Sequence, residues 1–469
     1  MGKRTQHQPG DTRPAVIPID TGRQLFVDDY LIARTDLRRQ WHSPVYHPSC
    51  PVMRPDKPWE RRGENPMAYP FSDGVWYDPS ARLFKLWYYC GNQRHTGYAQ
   101  SHDGIHWEKP VLDIVRGTNI VMAAERDSTT VWMDLDDPDS SARFKMLRIP
   151  YHSNPLMLHT SPDGIRWSGP LASSIRIHDR TTAFFDPFRR VWVLSIRADR
   201  QGVGRARQYY AHADVRKLFR FKEHDPVWWT QADSLDPVRD GVRPELYNLD
   251  VFAYESLLIG MFAIWQGHPP HRHKVNEVFL GFTRNGFDWI RPNRTPFLPV
   301  SETPGAWNWT NVQSAGGGCN VVGDQLYFYC SARSGVPGTP RMGEASTGLA
   351  ILRRDGFVSL NAGGGGILET RLLRCSGAHL FVNLQGELSV EVMDSRGRVV
   401  AAPRAVKADS ARLRLDCDLS ALTGRAIRLK FHLHQGRLFS FWITPCATGA
   451  SNGYVAAGGP GFYAHRDVD

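Results

Sequence analysis

Cysteine is scarce and poorly spaced for any shared task. The 469 residues hold seven, Cys50, Cys90, Cys319, Cys330, Cys375, Cys417 and Cys446. They are odd in number with no CxxC or other close pair, which argues against a disulfide framework and against a zinc site. Cys90 and Cys330 end apolar runs and read as buried thiols. Long hydrophobic runs are also missing. No window approaches the roughly 18 apolar residues of a membrane-spanning helix. The N-terminus, MGKRTQHQPGDTRP, has no apolar stretch behind its basic residues, so no secretory signal is expected and the expected location is cytoplasmic. Runs of one charge are absent as well. The formal charge is +10, from 57 Lys and Arg against 47 Asp and Glu, which by itself invites a nucleic-acid partner. The basic residues are dispersed, however, and the longest clusters, Arg61-Arg62, Arg189-Arg190 and Arg353-Arg354, are only pairs. That dispersal argues against nucleic acid and leaves local attraction of an anionic substrate as a use for the charge.

What the chain has instead is a repeat. Ser101-His102-Asp103-Gly104-Ile105-His106-Trp107 returns as Ser161-Pro162-Asp163-Gly164-Ile165-Arg166-Trp167, then as Thr283-Arg284-Asn285-Gly286-Phe287-Asp288-Trp289, and in fading form as Arg354-Asp355-Gly356-Phe357. Asp103 to Asp163 is 60 residues, Asp163 to Asn285 is 122 and Asn285 to Asp355 is 70, so one copy has decayed in the middle. A period of that size fits a four-stranded sheet with loops, the unit of a β-propeller. Asp-Gly supplies the tight turn, and the Trp that follows packs between neighbouring sheets. Five apolar runs, 75 to 90, 130 to 149, 183 to 198, 250 to 265 and 318 to 333, each read as strand, turn, strand. In the third unit the Asp-Gly hairpin is replaced by His212-Ala213-Asp214 to Phe221.

The fold class expected is therefore all-β: a leader over 1–20, a five-bladed β-propeller over 21–360, a small β-sandwich over 361–446 and a Gly-rich tail over 447–469 that either folds back on the propeller or stays loose. Gln24 to Ile32 reads as a strand that pairs early with the propeller. The sandwich rests on short alternating segments at 380 to 384, 387 to 394, 412 to 419, 427 to 434 and 438 to 444.

In a propeller the innermost strands run along the central axis, so residues at their starts converge on one rim. Aligning the second and third units sets Asp127 over Asp179, each after a polar residue, Arg126 and His178. The fourth unit offers Asn248 and, three residues upstream, Glu245. The first offers Glu60 and Glu64, and the fifth Trp307 and Trp309. Carboxylates facing one channel divide the labour of glycoside hydrolysis, one ionised and one kept protonated, and indole faces suit sugar C–H. The bland alternative has the same acids capping strands and tying blades together. Arg126, Arg180 and Arg243 each lie within two residues of a proposed acid, which fits either a bidentate grip on a carboxylate or phosphate or an ion pair with the next blade. His268, His271 and His273 sit in a Pro-broken loop with no ligand spacing, so no metal is assigned and no cofactor is expected, a divalent cation in the channel staying open.

The S-x-D-G-I-x-W hairpins, the Y-D-P and F-D-P turns, five blades and a trailing sandwich resemble the five-bladed propeller glycosidases related to invertases, fructan hydrolases and arabinanases. The L-F-V-D-D-Y-L-I opening and K-P-W-E segment resemble a bacterial branch of that group. The resemblance implies an Asp, Asp, Glu trio acting as nucleophile or base, transition-state stabiliser and general acid, which Asp127, Asp179 and Glu245 match in order. The W-M-N-D-P-N-G, R-D-P and E-C signatures are missing, and the trio falls in blades two to four instead of one to three, so Glu60 or Glu64 is the alternative first member. The expected activity is exo-cleavage of a glycosidic bond in an oligosaccharide or glycoside, a furanoside among the candidates. The alternatives are a non-catalytic carbohydrate-binding propeller and a phosphorylase or hydrolase of anionic sugars.

Overall fold

The recurring turns owe their shape to side-chain chemistry that the structure shows three times over. In the computed structural model, which describes residues 14–91, 95–150 and 155–469, Asp103 Oδ1 accepts from the N–H groups of Ile105 and His106 at 2.8 Å, and Ser101 Oγ accepts from Gly104 at 2.9 Å. Asp163 and Ser161 repeat the pattern at 2.8 Å, and Asn285 and Thr283 at 2.9–3.0 Å. The glycines sit at φ +77°, +76° and +73°, where a side chain is disfavoured. Each turn is also clasped by the preceding blade. Gly104 O accepts from Tyr329 Oη at 2.6 Å, Gly164 O from Trp87 Nε1 at 2.6 Å, and Gly286 O from Arg189 Nη2 at 3.2 Å.

Five sheets make up the propeller, and each of the five apolar runs supplies inner-strand and second-strand residues of one. The inner strands are Val75–Asp78, Thr129–Met133, Thr182–Asp186, Glu245–Glu255 and, in blade five, Thr310–Ser314 with Asn320–Val322. In blade three the segment after His212 makes a turn in which Asp214 accepts from Arg216 N at 2.8 Å, then a 3-10 helix, Lys217–Phe219, before the outer strand Val227–Gln231.

Blade five differs from expectation. Its outermost strand is Val45–Tyr46, paired with Ala350 and Ile351 of Ala345–Arg353, so residues from early in the chain complete the last blade. Asp355 lies in a turn over 354–357. It is buried, accepting from Arg23 at 3.0 Å, Asn383 at 3.1 Å and Ser440 at 2.6 Å. The tail folds back: Tyr454–Val455 pairs with the end of blade four's inner strand, and residues 456–458 bond to Ala253, Cys319 and Val321. It thereby ties the inner strands of blades four and five at the end of the channel opposite their starts.

The domain boundaries are corrected accordingly. One compact unit holds 42–354 and 454–467; the other holds the residues to 41, 355–453 and 468–469. Residues 1–13 of the expected leader lie outside the described residues. The segment expected to pair with the propeller pairs with the second unit: Gln24–Leu25 lies along Ser440 and Phe441, and Ile32–Thr35 along Gly366–Thr370. The physical reason is a bare edge on the long strand Ala426–Thr444, over which Leu25, Phe26, Val27 and Leu31 become buried. The short segments expected there merge into long strands, His379–Asp394 and Ala426–Thr444, bent where Gly386 faces Gly436. A Cβ on either would meet main-chain oxygen at 2.0 Å. All seven cysteines are unbridged, with Cys90 and Cys330 buried.

Candidate active site

The starts of the inner strands, the ends of the second strands and the beginnings of the third strands meet at one rim. The floor of this mouth comes from blade one. Tyr69, Phe71 and Tyr89 pack as a trio with centroids 5.3–5.6 Å apart. Phe71 holds φ +51°, Arg180 φ +58° and Asn311 φ +48°, three non-glycine residues in left-handed conformation at the heads of blades one, three and five. Strain of this kind, about 1–3 kcal/mol each, tends to gather where function demands it.

Two guanidinium groups lie on that floor. Arg126 is fully buried, donates to both oxygens of Asp73 at 2.5 Å and stands 4.6 Å from the Tyr89 ring centroid. Arg180, 1% exposed, lies 3.5 Å from the Phe71 centroid and donates to Ser72 Oγ at 3.2 Å. Asn248 reaches the same Ser72 from blade four at 3.2 Å and also donates to Asp250 at 2.9 Å. Blades one, three and four are thus stitched together across the channel at Ser72, which is fully buried. Behind Arg180, the buried Arg207 donates to its carbonyl at 2.7 Å and to Ser195 Oγ at 2.8 Å; burial and the charge of Arg180 bring Arg207 down to about 9.

Asp127 and Asp179 share this mouth with opposite electrostatics. Burial and the charge of Asp179 push the Asp127 carboxyl above the usual carboxylate range, against Arg180, Arg126 and Lys274, and its Oδ1 has no hydrogen-bond donor among the described residues. Burial acts on Asp179 too, but Arg197, Arg205 and Arg180 outweigh it and hold Asp179 low; Arg197 bonds it directly. Tyr247 stands nearby on blade four. Lys274 Nζ donates to its hydroxyl at 2.7 Å and Arg205 covers its ring at 4.5 Å. Burial opposes ionisation, yet these cations bring the phenol down to about 8.

The other sequence candidates are placed less centrally. Glu245 accepts from Arg205 N–H at 3.2 Å and packs against Gly204. Glu60 is corrected to a structural anchor. It is buried, and its carboxylate is taken up by Tyr88 Oη at 2.5 Å, Lys109 at 2.8 Å and two main-chain N–H groups. Glu64 and His178 are exposed. Trp307 meets Tyr46 edge-on at 5.3 Å over Gly348, within blade five, and Trp309 is 4% exposed beneath Arg272, so neither offers an indole face at the mouth. Arg126, a substrate-binding candidate, is spent on Asp73, and Arg243 bonds the carbonyl of Gly202. His273 accepts from Arg333 at 3.2 Å, and among the described residues no group of three or more His, Cys, Asp or Glu could hold a metal ion.

Asp73, Asp250, Lys274 and Tyr247 escaped the sequence reading. Asp73 had a usable signal: Val75-Trp76-Tyr77-Asp78 matches Val131-Trp132-Met133-Asp134, which puts Phe71 over Asp127 and Asp73 two places further along the strand.

Fold and site together define a five-bladed propeller with a cluster of charged side chains at one end of its axis. No family model and no curated protein matches the sequence. Among solved structures the chain is similar to a thermostable family-43 glycoside hydrolase (TM-score 0.43, 14% identity, 64% of this chain and 94% of that one). It is also similar to a fructofuranosidase from Schwanniomyces occidentalis complexed with fructosylnystose (0.41, 12%, 85% and 96%). A third is an N-acetylgalactosamine deacetylase from F. plautii in complex with blood group B trisaccharide (0.43, 13%, 65% and 97%). At 12–14% identity the likeness bears on the fold alone, so the reaction has to be argued from the site.

Proposed function

We propose that the protein is a glycoside hydrolase whose general acid is Asp127 and whose ionised partner is Asp179. The observation that carries the reading is the pair itself: two carboxyl groups on adjacent blades, in one recess, with surroundings that drive their protonation apart. That is the requirement for a group that donates a proton to a leaving oxygen beside one that stays charged as base or nucleophile. Asp127 is freer to act, having an oxygen without a donor, whereas Asp179 is held in place by Arg197. Glu245, the acid matched by the family pattern, takes a supporting part on this reading by fixing the Gly204-Arg205 turn. The substrate is an oligosaccharide or glycoside entering from the mouth, and the buried Ser72, Asn248 and Arg180 across the channel favour cleavage at a chain end.

The test is a panel of aryl glycosides and oligosaccharides assayed with the wild type, Asp127→Asn, Asp179→Asn and Glu245→Gln. Each Asp variant should keep its fold and lose about 10²–10⁴-fold in kcat, with Glu245→Gln affected less. Saturable sugar binding with no turnover of any substrate would instead make this a carbohydrate-binding propeller, and a larger loss in Glu245→Gln than in Asp127→Asn would return the acid's role to Glu245.

A further inference from the structure

The recess carries more positive charge than its carboxylates absorb. Asp73 and Arg126 satisfy each other, and Arg197 is shared between Asp179 and Asp199. Arg180, Arg205, Lys274 and Arg333 stand at the same end of the channel with no carboxylate in ion-pair contact among the described residues. Arg180 is 1% exposed, yet among the described residues its Nε and Nη1 have no acceptor, and Arg205 Nη1 has none either. Lys274 has one acceptor, Tyr247 Oη, and it lies with Arg205 over the Tyr247 ring, at 4.6 and 4.5 Å. Burial and the charges of Arg333 and Arg205 hold Lys274 below its ordinary range despite the pull of Tyr247. Crowding like charges in a poorly solvated recess is unfavourable unless an anion completes the set.

We infer that the mouth of the channel is a receptor for an oxyanion, a carboxylate, sulfate or phosphate group, gripped between Arg205 and Lys274 with Arg180 behind them. The inference rests on this recess being the substrate site proposed above, and it narrows the substrate to an anionic glycoside or to a glycoside cleaved beside a bound free oxyanion. The division of labour suits the two side chains. The Arg205 guanidinium presents a planar fork that pairs two oxygens at once, and Lys274 supplies a point charge. The Tyr247 hydroxyl fixes the direction of the ammonium.

Calorimetric titration of the full chain with sodium phosphate, sodium sulfate and sodium glucuronate, against sodium chloride at equal ionic strength, tests it without turnover. At least one of the three anions should bind saturably where chloride does not. Arg205→Gln and Lys274→Gln should each weaken that binding about tenfold or more, Arg205→Lys should weaken it less, and the exposed Arg166→Gln should leave it unchanged; thermal melts verify that each variant is folded. Asp179→Asn should tighten binding, because it removes a neighbouring negative charge. Cleavage of neutral glycosides that rises with added phosphate identifies a free anion as the occupant, and cleavage confined to uronate or sulfated glycosides identifies the substrate's own group. No binding above chloride, or binding indifferent to both neutralising substitutions, overturns the inference. Anion binding that persists in a protein with no hydrolytic activity counts against the hydrolase reading alone.

Discussion

Removing one partner of the Asp73–Arg126 pair separates a structural role for Arg126 from a substrate-binding one. Both side chains are fully buried and joined by two bonds of 2.5 Å, so either single substitution leaves a charge stranded, which costs about 3–5 kcal/mol. The two variants should not be equal. In Arg126→Met the surviving Asp73, which burial pushes up to about 6 against Arg126 and Arg180, can escape by taking up a proton, which sets the loss near the lower figure. In Asp73→Asn the surviving guanidinium has no neutral form within reach, which sets it near the upper one. The double variant strands nothing and should recover most of the loss. Urea unfolding at pH 7, followed by tryptophan fluorescence through the first transition, measures all three. If Arg126→Met left stability intact and raised KM instead, the ion-pair account would be wrong and Arg126 would be a substrate ligand.

Three further outcomes follow from geometry. Gly164→Ala should destabilise by about 2–5 kcal/mol, combining a left-handed backbone with overpacking, because its Cβ would come within 2.4 Å of the buried Trp87 ring. Gly117→Ala, also at positive φ but with open space around it, should cost only about 1–2 kcal/mol; equal losses at the two sites would refute the clasp. His273, brought down from 6.5 to about 3 by burial and Arg333, stays neutral in the folded protein while the unfolded chain takes up a proton. Its contribution is present above pH 6.5 and is lost as pH falls towards 3, so a stability profile for His273→Gln should be flatter across that window. Tyr247→Phe should leave Lys274 without its acceptor and loosen the grip on glucuronate or phosphate; unchanged titration curves would remove Tyr247 from the site.

The repeat and its turns were legible because their causes are local. Ser101, Asp103 and Gly104 fold one another within four residues, so each copy of the phrase is a turn whatever surrounds it. Blade three's departure could be read as well, since His212 and Asp214 make their own local turn bonds. Blade five could not. Asp355-Gly356 has the right letters, but its carboxylate is claimed by Arg23, Asn383 and Ser440 from distant parts of the chain. Asp127 and Asp179 were found by strand alignment, whereas Asp73 lies two positions from the equivalent alignment point, and its role shows only through its partner, Arg126.

By itself, then, the amino-acid order determined the class of fold, the number of blades and the two aspartates at their heads, because hydrophobic alternation and Asx turns act over a few residues. The tertiary structure alone decided which sheet receives residues 24–35, which strand closes the ring, and which charges at the mouth are neutralised. Those outcomes depend on groups hundreds of positions apart competing for the same partners. A linear pattern names the competitors, and only their packing in three dimensions selects among them.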